Sequence, residues 1–91
     1  MKQETHEYSN DYLRLSQLGD NVKSNIATKE EKDEYMNLML KYEKITQQQY
    51  SDYKQNKNAD EILNGALTIG AIFLLGYVLK ALVEDFTSSK K

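Results

Sequence analysis

Ninety-one residues carrying a net charge of −2 and a mean hydropathy of −0.74 allow one small domain, near the size at which a single core is marginally stabilising. The absence of cysteine excludes a disulfide framework and a thiolate metal site, and the absence of proline permits long uninterrupted helices. Eleven lysines and the single Arg14, set against 14 acidic residues and spread along the chain, leave no clustered basic face for nucleic acid.

The amino-terminal MKQETHEYSNDYLRL lacks the apolar stretch of a secretory signal peptide. Its first pattern is Tyr8, Tyr12, Leu15 and Leu18, one stripe of a helix, with Gly19 suited to the left-handed position that ends it. Val22 and Ile26 belong to a short helical turn or a packed connector. Thr28-Lys-Glu-Glu31 is a capping box, in which the threonine oxygen accepts from the third helical amide and Glu31 reaches back. Acidic residues follow in the first turns and lysines in the last, matching the helix dipole. Tyr35, Leu38, Met39 and Tyr42 then mark the apolar face of a helix over 29–44.

Thr46-Gln-Gln-Gln49 is a second capping box, with Ile45 and Tyr50 placed as a hydrophobic staple. A connection of about two residues predicts an antiparallel hairpin around Ile45–Thr46, with Tyr50 and Tyr53 facing Leu38 and Tyr42. Asn58 with Glu61 offers a third cap, so the next helix is expected to begin at Ala59. The stretch KYEKITQQQYSDYK, residues 41–54, resembles the short C-terminal domain abbreviated SHOCT, with Ile45, Thr46, Tyr50 and Lys54 in matching places. That resemblance implies a small interaction module without catalysis, of a kind often found in proteins with membrane segments.

Residues 62–83, ILNGALTIGAIFLLGYVLKALV, are apolar on every side of a helix. A bilayer core is about 30 Å thick and needs about 20 such residues. Lys80 lies near one end, where its amine can reach the headgroups, and with Glu84 one turn later it reads as an interfacial ion pair. The first 61 residues hold only 19 apolar ones, enough to cover one side of this helix but not its circumference. Two readings follow, with the membrane favoured. In the first, 59–85 is a single transmembrane helix, the polar region 1–58 stays in the cytoplasm, and the short tail 86–91 crosses. In the second, 62–83 is buried by association in a soluble cytoplasmic oligomer or with another helical protein, of immunity or secretion-partner type. Ala66 and Gly70, four apart, then mark a face for close helix approach, continued by Phe73 and Tyr77. Replacing Gly70 with leucine is expected to weaken that association.

The chemistry of catalysis is missing. His6 is the only histidine and cannot by itself assemble a zinc site, and the carboxylates from Glu30 to Glu34 lack the spacing of a calcium loop. No nucleophile elbow or phosphate-binding glycine loop occurs. Six of the seven tyrosines lie in the polar part; Tyr35, Tyr42 and Tyr50 have the register of a small core, while Tyr8 and Tyr12 are candidates for partner contact. The expectation is an all-α, non-enzymatic chain without cofactor or metal. Its function is that of a membrane-anchored adaptor or regulator binding a protein partner; the alternatives are the soluble oligomeric partner and a small phage holin-like membrane-active protein.

Overall fold

The computed structural model describes the backbone of residues 2–89 and the side chains of 10–77, 79 and 80. The fold is all-α, with helices α1 (Lys2–Lys23), α2 (Lys29–Lys41), α3 (Gln47–Lys54) and α4 (Ala59–Ser89). Tyr8 and His6, the ion pair expected between Lys80 and Glu84, and the tail beyond it lie outside the described side chains.

Both capping boxes form. Thr28 Oγ1 accepts from the Glu31 amide at 3.1 Å while the Thr28 amide donates to Glu31 Oε1 at 3.0 Å. At α3 the same exchange joins Thr46 and Gln49, at 3.0 and 2.8 Å. Each satisfies two amides that a helix start otherwise leaves unpaired. α4 begins at Ala59 as the pattern implies, but Asn58 takes φ 50° and no capping box joins it to Glu61 among the described residues.

The helix ends differ from the expectation. α1 does not stop at Gly19; it runs one further turn, and its left-handed residue is Asn25 (φ 61°). The Ile26 amide donates to Asn21 O at 3.0 Å and the Asn25 amide to Val22 O at 3.1 Å, the paired bonds of a Schellman motif. α2 closes identically around Glu43 and α3 around Asn56, so α2 ends at Lys41 and its link to α3 is five residues, 42–46, rather than two. Gly19 instead lies inside α1, where a Cβ would stand 3.5 Å from the Tyr35 ring.

The long antiparallel pair is α1 with α2. Arg14 forks onto Glu34 at 2.8 and 2.9 Å, and Lys41 pairs with Asp11 at 2.8 Å. α3 folds back on α2 through Tyr53, whose hydroxyl donates to Asp33 at 2.9 Å, with Lys54 reaching the same carboxylate. Tyr53 therefore meets the start of α2. α4 closes the bundle alongside α2 and antiparallel to α1. The core between them holds Leu15, Leu18 and Val22 of α1, Tyr35, Met36 and Met39 of α2, Ile45, Tyr53, and Leu63 and Ala66 of α4. It is closed by tyrosines and methionines because the polar helices supply few branched aliphatics.

Candidate functional site

α4 carries two apolar faces, and the fold treats them oppositely. Its inner face is occupied by the chain's own helices. Tyr35, fully buried, donates its hydroxyl to the Ala66 carbonyl at 3.3 Å. A Cβ at Gly70 would collide with that hydroxyl and stand 3.2 Å from the ring carbon bearing it, so the glycine is what admits the ring. Burial pushes the Tyr35 hydroxyl up to about 12.

One turn further along, Tyr12 stacks on Tyr77 with centroids 3.8 Å apart and meets Phe73 edge-on at 5.0 Å. Tyr42 tilts onto Phe73 at 5.6 Å, and the Lys44 ammonium sits 4.6 Å over the Phe73 ring. Behind this cluster Tyr42 and Lys41 both donate to the Asp11 carboxylate. Partial burial alone would raise that carboxyl, but the two hydrogen bonds and the Lys41 charge outweigh it and hold it below the usual range.

The four positions of α4 singled out as an oligomer face are thus placed inward. Ala66 and Gly70 take Tyr35; Phe73 and Tyr77 take Tyr12 and Tyr42. Tyr12, a candidate for partner contact, is spent on α4 itself. Small residues permit close approach by any neighbouring helix, and at Gly70 the space is taken by Tyr35 and Met39 of α2 in the same chain.

The outer face has no such cover. Ile69, Ile72, Leu75 and Leu79 are exposed, Ile72 by 66 %, and among the described residues nothing beyond α4's own adjacent backbone comes within 4 Å of a Cβ built on Gly65 or Gly76. Periodicity could not have separated these residues from the inner ones, because α4 is apolar all round. The separating signal was the size of the opposing aromatics, which needs the α1–α2 pairing to be known. Between α1 and α4 lies a groove of about 280 Å³, with Ser16, Asp20 and Lys23 of α1 and Leu67, Ala71 and Leu74 of α4 among its lining residues. Its mixed walls and open mouth resemble an edge of the same surface more than an enclosed ligand site.

The segment Ala59–Tyr77 is long and apolar enough to cross a membrane, and only 17 % of its apolar window is buried within the fold. A self-sufficient core helix would be mostly covered. Among the described residues no group of three histidine, cysteine, aspartate or glutamate side chains is placed to hold a metal ion. No family model matches the chain, and no curated protein or solved structure matches it.

Proposed function

We propose that the chain is a small non-catalytic interaction module that works in water and docks through the outer face of α4. The observation that supports this reading is the depth to which charged helices follow α4. Asp11 and Lys41 sit beside the aromatic cluster at Phe73 and Tyr77, and Lys44 lies on Phe73 itself. Were 62–83 to span a bilayer with this packing kept, those charges would enter the hydrocarbon, at about 3 kcal/mol each on insertion scales. The packed bundle and the membrane span therefore compete for the same residues. The exposed stripe still has to be covered, and a protein surface covers it without dismantling the bundle.

A second reading, favoured by the length and apolarity of Ala59–Tyr77, is the single-pass anchor with α1–α3 in the cytoplasm as an adaptor. It requires α1 and α2 to leave α4. Carbonate extraction of cells expressing the full chain separates the two. Release into the soluble fraction is the expected result; retention in the carbonate-washed membrane would overturn the aqueous reading, and collapse of membrane potential on expression would point to the holin-like variant.

A further inference from the structure

The uncovered face of α4 has an internal symmetry that its covered face lacks. Gly65, Ile69, Ile72, Gly76 and Leu79 follow one another at intervals of four, three, four and three, the average of 3.5 that keeps one helix seam against another. All five are exposed. The first four read the same in both directions, glycine–isoleucine–isoleucine–glycine. Four residues outside each glycine stands an exposed charge, Glu61 on one side and Lys80 on the other. Among the described residues no side chain fills the hollows at Gly65 and Gly76, unlike Gly70, which the Tyr35 ring fills.

We infer that a second copy of this chain covers this face, α4 lying antiparallel on α4 about a two-fold axis near residues 70–71. The inference rests on the proposed docking of this face in water and names its occupant. A two-fold interface must be self-complementary. In the antiparallel register with its axis there, Ile69 lies level with Ile72 of the second copy, Gly65 with Gly76, and Glu61 with Lys80, twice over. A parallel pairing would instead bring glutamate to glutamate at one end and lysine to lysine at the other. The glycine layers let the two backbones approach, and the isoleucine layers fill the centre, as a helix seam requires. An unrelated partner would need an apolar stripe but no palindrome, and a lipid surface would need neither the 3.5-residue spacing nor opposed end charges.

Sedimentation equilibrium of the full-length chain without detergent tests this directly. The expected result is a dimer whose Ile72→Lys variant is a monomer of unchanged helicity, since Ile72 is 66 % exposed within one copy. Glu61→Lys should weaken the dimer by about 3- to 10-fold, and the double exchange Glu61→Lys with Lys80→Glu should restore it, as only the antiparallel register requires. This charge exchange keeps the test decisive if Ile72→Lys fails to fold. A folded soluble monomer at all concentrations would overturn self-association while leaving the docking of another protein intact. Partition of the chain into vesicles of phosphatidylcholine and phosphatidylglycerol, with none left in water, would overturn both. A dimer indifferent to Ile72→Lys and to the charge exchange would also overturn it.

Discussion

Of the four glycines, Gly70 makes the tightest fit, against Tyr35. The ring is fully buried, its hydroxyl is tied to the Ala66 carbonyl, and the glycine has no side chain because the hydroxyl occupies that space. Gly70→Ala should cost about 1–3 kcal/mol, the scale of overpacking, despite alanine's better helix propensity. Tyr35→Phe removes the obstructing oxygen together with a hydrogen bond worth about 1 kcal/mol. The double variant should therefore be more stable than the sum of the single losses implies, a coupling that denaturant unfolding of all four proteins measures. Gly19 sits on the same ring with ordinary clearance, 3.5 Å, so Gly19→Ala should stabilise by about 0.5–1 kcal/mol through helix propensity. Gly70→Leu, first considered as a probe of association, would damage the single chain before any partner is met. The Tyr35 hydroxyl has a further consequence at high pH. Its folded value is raised to about 12 from an ordinary 10.0, so the stability it contributes is complete below pH 10 and is lost as pH rises through 12. Alkaline unfolding followed by tyrosinate absorbance should start in that window and begin earlier in Gly70→Ala.

Three helices end on a left-handed residue, and none of the three is glycine: Asn25, Glu43 and Asn56. Asparagine enters that region readily, whereas glutamate has no local hydrogen bond to offset the crowding of its Cβ. Glu43→Gly should raise stability by about 0.5–1 kcal/mol after the larger unfolded-state entropy of glycine is deducted, seen as a higher thermal midpoint with unchanged helicity. The same three sites explain what the sequence could and could not reveal about the elements. The starts of α2 and α3 were legible because Thr28 and Thr46 announce themselves by side-chain chemistry. The ends were not, because a Schellman closure is a backbone event that tolerates glutamate, and because Gly19 imitates one. The two faces of α4 were illegible for a different reason: an all-apolar helix carries no phase. Ala66 and Gly70 looked like a docking face for another copy and serve Tyr35, and the outer stripe emerged only once α1 and α2 were seen to occupy the inner one.

At the scale of the whole molecule, three carboxylates hold the polar helices together beneath α4. Glu34 is kept below its ordinary 4.5 chiefly by its hydrogen bonds with Arg14, which together with the Arg14 charge outweigh the opposing effect of burial. Asp33 would be raised by its partial burial, but the Tyr53 hydroxyl, Lys29 and Lys54 outweigh this and hold it below 3.8; Asp11 behaves likewise with Lys41 and Tyr42. Each links two helices: α1 with α2 through Asp11 and Glu34, α2 with α3 through Asp33. All three folded values are depressed, so the stability they contribute is present above the ordinary carboxylate range and falls as pH drops through it and below. Thermal midpoints should be flat from about pH 5 to 8 and decline below about pH 4. Asp33→Asn should shallow that decline, because it removes one of the titrating ties while keeping the side chain's size. It should also lower the midpoint at neutral pH, where Lys29 and Lys54 lose their shared anion. If acid loosening instead leaves the Asp33→Asn curve parallel to that of the unsubstituted chain, the helices are held by their apolar core alone and these ion pairs are ornaments of the surface.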